Sequence, residues 1–262
     1  MINPRIYGEY PYGVAVIHGG PGAPGSVASV ARELSKTFGV LEPLQTKNTL
    51  DGQVKELKGL LEEHGELPII LIGWSHGSGL STLLAARHPD IVRKLILIGT
   101  TPFEAKYQDE ITRDRLLRLN EEERAEFFSL AEIILDPGNE DRSVAMARLF
   151  RLIARSEYYA LLSRPDEVLE YQPDINISIG QEWRKLQDSN ELMKIISDIR
   201  CPVVAIHGDY DVNPAEAVRK QFSQVIKDFK FVLLEKCGHT PWYEKYAREK
   251  FYAILKEEIL DK

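Results

Sequence analysis

Pro68-Ile-Ile-Leu-Ile72 runs directly into Gly73-Trp74-Ser75-His76-Gly77, and a helical pattern from Gly79 to His88 follows at once. A short apolar run bounded by turn-forming residues reads as a buried strand. The pentapeptide is then a sharp strand-to-helix turn with a serine at its tip. Such a turn holds the serine Oγ clear of the backbone at the carboxyl edge of a sheet. Glycines two positions either side are required because strand and helix approach too closely for a Cβ. Ser75 is the candidate nucleophile.

Outward from this turn, short apolar runs alternate with helical patterns. Strands are expected at Val14–Ile17, Val40–Leu44, Lys94–Ile98, Pro202–Ile206 and Phe229–Leu234. Helices are expected over about 26–38, 51–64, 213–226 and 242–260, the second with Val54, Leu57, Leu60 and Leu61 at helical spacing. Alternation of this kind predicts an α/β fold, a mostly parallel sheet with helices on both faces. The rhythm breaks over residues 103–197, where the periodicity is helical and Pro137-Gly138, Pro165 and Pro173 punctuate it. About four inserted helices are predicted there, with residues 1–102 and 198–262 forming the core. Glu121-Glu-Glu-Arg124 reads as a solvated helix start.

Composition narrows the function classes. The 262 residues are 44% hydrophobic and 28% charged with a net charge of −7, and carry no Lys/Arg cluster, which argues against nucleic acid. No apolar run approaches the ~20 residues of a membrane helix. The opening Met-Ile-Asn-Pro-Arg lacks a secretion leader, so a cytoplasmic location is expected. Cys201 and Cys237 have no metal-type spacing and are expected as free thiols.

Two further stretches fall at strand ends. His239 stands in Cys237-Gly-His-Thr-Pro241, between the last strand and the last helix, where a loop can hang an imidazole over the same sheet edge. Asp211 follows Ile206-His-Gly-Asp-Tyr-Asp211, with Asp209 as its rival and the better turn former. The order Ser75, Asp211, His239 is that of a nucleophile, an orienting acid and a base on this kind of sheet. After the first strand, His18-Gly19-Gly20-Pro21-Gly22 leaves backbone N–H groups free for an anion, with neither a GxGxxG nor a Walker spacing. The N–H groups of Gly20 and His76 are the expected oxyanion hole, and His18 a brace for its loop.

Together these stretches resemble the α/β-hydrolase superfamily over nearly the whole chain outside the insert. Ala86-Arg-His-Pro-Asp-Ile-Val-Arg-Lys-Leu-Ile-Leu-Ile98 is similar to the segment following the family's elbow, and His18–Gly22 resembles the oxyanion loop of proline iminopeptidases. The resemblance implies that residues 103–197 are the family's helical cap. Two departures stand out. Too few residues precede Tyr12 for the hairpin that usually begins the sheet, which predicts about six strands with Val40–Leu44, containing Pro43, as the exposed edge. His76 also replaces the tryptophan typical of iminopeptidases.

The implied chemistry is cleavage of a small-molecule carboxylic ester or amide through an acyl-enzyme, with no metal or organic cofactor. A histidine base predicts activity falling as pH drops through roughly 6 to 7. Alternatives are an aminopeptidase of the proline iminopeptidase kind, and a ligand-binding protein on the same scaffold. In the insert, Tyr158, Tyr159, Tyr171 and Trp183 are candidate wall residues or packing aromatics. Glu157, Glu167 and Glu170 are candidate anchors for a substrate amine or solvated carboxylates.

Overall fold

Strand–helix alternation builds a single seven-stranded sheet. The computed structural model describes residues 2–162, 170–189 and 191–261. Its strands are β1 (Arg5–Tyr7), β2 (Val14–Ile17), β3 (Val40–Glu42), β4 (Ile69–Trp74), β5 (Val92–Ile98), β6 (Val203–Gly208) and β7 (Phe229–Leu234). They lie in the order β1-β3-β2-β4-β5-β6-β7, all parallel except β1. The core helices are α1 (Ala28–Leu34), α2 (Leu50–His64), α3 (His76–Arg87), α9 (Ala215–Val225) and α10 (Arg248–Leu260).

The strands read as continuous apolar runs because both faces of the sheet are covered. Alternate residues serve opposite layers. Ile69, Leu71, Leu95, Leu97, Val203 and Ala205 join α2, α3 and α9 on one face. Ile70, Ile72, Ile96, Ile98, Val204 and Ile206 join α1 and α10 on the other. A one-residue slip would exchange the two sets, so register is fixed by packing on both sides.

The expected exposed edge is corrected. Arg5–Tyr7 pairs antiparallel with Val40–Glu42 and covers it, giving seven strands rather than about six. Pro43 falls just outside the ladder, where its missing N–H costs nothing. The added strand is held by its side chains as well as its backbone. The Tyr7 hydroxyl donates to Glu42 Oε2 at 2.6 Å and Arg5 pairs with the same oxygen at 3.2 Å.

Among the described residues between β5 and β6 come α4 (Lys106–Leu117), α5 (Glu121–Leu135), α6 (Arg142–Glu157), α7 (Pro173–Asp188) and the short α8 (Glu191–Ile196), one helix more than expected. The Glu121–Arg124 charge run is a helix start: Asn120 caps α5, and Glu123 completes a capping box. Helices α5 and α6 pack on each other through Leu130, Ile134, Ala145 and Met146. Ile179 of α7 and Leu192 and Ile196 of α8 instead enter the core beside the sheet. The α7 carboxylate of Glu182 accepts the N–H of Leu50 at 2.6 Å, at the positive end of α2. Among the described residues no helix is long and apolar enough to cross a membrane. Cys201 and Cys237 are free thiols.

Candidate active site

Strands β4, β6 and β7 deliver the three candidate residues to one rim. Ser75 follows β4 directly and takes φ 54°, ψ −120°, a backbone state that side-chain-bearing residues avoid. Its N–H donates to Ile98 O at 3.0 Å, and its carbonyl accepts from Ser78 N–H at 2.9 Å. The flanking glycines meet the expectation of close approach. A Cβ at Gly73 would lie 2.4 Å from Gly77 O, and one at Gly77 would lie 2.3 Å from Ile17 O.

Asp211 lies just past β6, and His239 between β7 and α10. The imidazole Nδ1–H donates to Asp211 Oδ2 at 2.8 Å. Asp211 Oδ1 accepts from the backbone N–H of Asn213 at 2.9 Å and from its side-chain amide at 3.1 Å. With Nδ1 engaged, Nε2 is the nitrogen left for the serine, and Ser75 and His239 line the same cavity. Asp209 is the turn former: its carboxylate accepts the N–H of Cys237 at 3.1 Å and so fastens the turn after β6 to the histidine loop. Trp74 fixes that loop from beneath, donating Nε1–H to His239 O at 2.9 Å.

Burial opposes charge on His239, but the Asp211 carboxylate, the Glu157 carboxylate and the Asp211 hydrogen bond outweigh it and hold its pKa above the ordinary 6.5. Burial likewise opposes ionisation of Asp211, yet the imidazoles of His239 and His207 and its hydrogen bonds hold its carboxyl below the ordinary range.

Burial disfavours the charged form of His18 and His76. His18 is buried, donates Nδ1–H to Gly19 O at 2.8 Å and accepts Gln45 N–H on Nε2 at 3.1 Å, bracing the Gly-rich loop as expected. Burial lowers its pKa to about 4. The His76 ring points away from Ser75 into a polar pair: Nε2–H donates to Gln53 Oε1 at 3.0 Å, and Nδ1 accepts Trp183 Nε1–H at 2.9 Å. Burial lowers it to about 3.

Two hollows meet at Ser75 and Gly20. One, of about 310 Å³, lies under α6 and is lined by Tyr158, Tyr171, Phe150, Ile153 and Tyr243 together with Arg115 and Glu157. The other, of about 280 Å³, lies under α7 and is lined by His76, Thr100, Phe103, Trp183 and Gln187. Tyr158, Tyr171 and Trp183 thus serve as wall residues, whereas Tyr159 turns outward and meets Tyr210 and Tyr246 edge-on. Glu157 is buried and engaged by Arg115 Nε and Nη2 at 3.1 and 2.6 Å. Glu170 is exposed, and Glu167 lies outside the described residues. Another hollow, of about 930 Å³, sits at the opposite rim near Gly8–Pro11 and Phe38, away from these groups. In α/β sheets ligands bind at the carboxyl ends of the strands, which favours the rim at Ser75.

Sequence reasoning missed Asn213, Gln53 and Gly99. Gly99 sits at φ 53°, and a Cβ there would come within 2.8 Å of His239 Nδ1 and 3.1 Å of Asp211 Oδ2. A glycine directly after the β5 run was the available signal.

Residues 14–246 match the model of the family described as alpha/beta hydrolase fold. The chain is 27% identical over 183 residues, 66% of its length, to a pimeloyl-[acyl-carrier protein] methyl ester esterase of Nitrosospira multiformis, and this match covers 62% of that protein. The structure of VinJ superposes with a TM-score of 0.69 at 19% identity, covering 98% of this chain and 93% of the other. A proline iminopeptidase of Mycobacterium smegmatis superposes with a TM-score of 0.61 at 20% identity, covering 98% and 93%.

Proposed function

The chain belongs to the α/β-hydrolase family, and from that premise we propose that it is a serine hydrolase of small-molecule carboxylic esters, with Ser75 as nucleophile, His239 as base and Asp211 as its orienter. The observation that carries this reading is the 2.8 Å bond from His239 Nδ1 to Asp211 Oδ2, in a cavity shared with the strained Ser75 turn. The curated relative named above is a methyl ester esterase, which supports ester chemistry.

His239 Nε2 takes the Ser75 hydroxyl proton as Oγ bonds to the carbonyl carbon. The oxyanion formed is held by the N–H groups of Gly20 and His76, each such donor contributing a factor of ~10²–10³ in rate. The carbon–alkoxide bond then breaks, and the imidazolium gives its proton to the leaving oxygen. Water, deprotonated by His239, attacks the acyl-enzyme, and the acid leaves as Ser75 regains its proton. Asp211 keeps the reactive tautomer and stabilises the imidazolium. The chemistry calls on no metal or organic cofactor.

Residues 103–197 act in this reading as a cap over the nucleophile, between two unlike chambers. The apolar one under α6 suits an acyl chain. The pairing of Glu157 with Arg115 leaves that carboxylate poorly placed to anchor a free amine, which favours an ester over an N-terminal peptide bond. The test is turnover of p-nitrophenyl butyrate. Ser75→Ala and His239→Ala should each reduce kcat by at least ~10³-fold, in line with loss of a triad member. A Ser75→Ala protein keeping most of its rate would refute the assignment.

A further inference from the structure

Beyond the triad, one buried carboxylate joins the inserted helices to the loop that carries the base. Glu244 is completely buried between that loop and the chain leaving α6. Its Oε1 accepts the N–H of Gly238 at 2.9 Å and of Tyr159 at 2.7 Å, and its Oε2 accepts the N–H of Ala160 at 2.7 Å. Gly238 is the residue directly before the base. Tyr159 and Ala160 are the first residues beyond the Tyr158 that closes α6.

The backbone repeats the connection. His239 N–H donates to Glu157 O at 3.1 Å, Leu162 N–H to Tyr243 O at 2.7 Å, and Lys245 N–H to Ala160 O at 2.8 Å. Leu161 and Glu244 form an antiparallel bridge. The fit is close enough that a Cβ at Gly238 would stand 1.8 Å from Glu157 O. Charge-assisted bonds to a buried carboxylate are stronger and more directional than neutral ones, and removing the acceptor leaves buried donors unsatisfied.

We propose that Glu244 is a positioning residue for the hydrolysis: its carboxylate clamps the end of α6 to the His239 loop, so that the insert and the base keep one geometry. This rests on the assignment of His239 as base. The insert then has a second task besides covering the substrate, because its carbonyl at Glu157 and its amides at 159 and 160 help hold the imidazole against Asp211. A movement of this end of the insert displaces the base.

Glu244→Gln keeps the volume but turns an N–H2 group toward N–H donors. Hydrogen–deuterium exchange should speed up together in segments 157–162 and 236–240, with β4 unchanged. For p-nitrophenyl butyrate, kcat per burst-titrated site should fall at least tenfold with KM changed less than threefold. The acid limb of kcat/KM should move to lower pH as His239 loosens from Asp211. A loss of stability alone would leave the per-site rate and the acid limb where they were. Exchange that rises in only one segment or in neither, or a per-site kcat within twofold of the unaltered protein, would overturn the clamp. Should Glu244→Gln not fold, Glu244→Asp, which keeps the carboxylate but shortens its reach to Tyr159 and Ala160, is read in the same way. If the unaltered protein fails to turn over the ester, the hydrolase reading falls, while the paired exchange response still decides whether the clamp exists.

Discussion

At the scale of single residues, the proposed roles of Asp211 and His239 predict a pH behaviour. A base works only when neutral, and Asp211 favours the charged imidazole, so the acid limb of kcat/KM should have its midpoint above 6.5. Asp211→Asn removes that charge. The limb should move back toward 6.5, and kcat should drop by roughly 10³–10⁴ because the tautomer is no longer held. A limb unmoved in Asp211→Asn would mean that this carboxylate does not govern the imidazole. That Ser75, Asp211 and His239 stand at one rim was legible in the sequence, because each follows a strand by a few residues and local pattern alone fixes that placement. Asn213 and Gly99 were not legible. Asn213 matters through a carboxylate two residues away whose orientation only the fold reveals, and Gly99 through an imidazole that arrives from far along the chain.

At the scale of elements, the path α2–α3–α7 is a relay of side chains. Gln53 of α2 donates its amide to Lys47 O at 2.8 Å and accepts from His76 of α3, which in turn accepts from Trp183 of α7. Trp183→Phe keeps the ring but leaves His76 Nδ1 without a donor in a buried site. Equilibrium urea unfolding should show a loss of about 1–3 kcal/mol. A loss under about 0.3 kcal/mol would show that the relay contributes nothing to holding α7 on the core. The strand–helix rhythm was legible because apolar runs and 3.6-residue spacing are local signals. Strand β1 was hidden: three residues without an apolar run become a strand only by meeting β3 across more than thirty positions. The six-residue α8 was lost for a similar reason, since its helical turn is stabilised by Leu192 and Ile196 packing on the sheet layer. How the inserted helices sit was illegible, because contacts such as the Glu244 carboxylate to Tyr159 and Ala160 decide it.

At the scale of the whole molecule, buried neutral histidines link stability to acid. His18 and His76 have folded pKa values of about 4 and about 3 against an ordinary 6.5. Below 6.5 the unfolded chain binds protons at both sites that the folded chain refuses. The stability they contribute is therefore complete above 6.5 and is lost as pH falls toward 4 and then 3. Each adds about 1.4 kcal/mol per pH unit over that window, and His207, also lowered by burial, acts with the same sign. Urea unfolding between pH 6 and 4.5 should show this slope, and His76→Asn should reduce it by about 1.4 kcal/mol per unit even though it lowers stability at pH 7. A slope identical in His76→Asn would mean that His76 takes up a proton in the folded state. The same scale gives the short β1 strand its significance. The outermost pairing of the sheet is a tripeptide held to Val40–Glu42 at three positions. Stripped of it, β3 would present bare amides and carbonyls beside an apolar layer, a template on which the equivalent strand of a neighbouring molecule can add itself. Arg5–Tyr7 thus serves as a hem, closing off β3 to such addition.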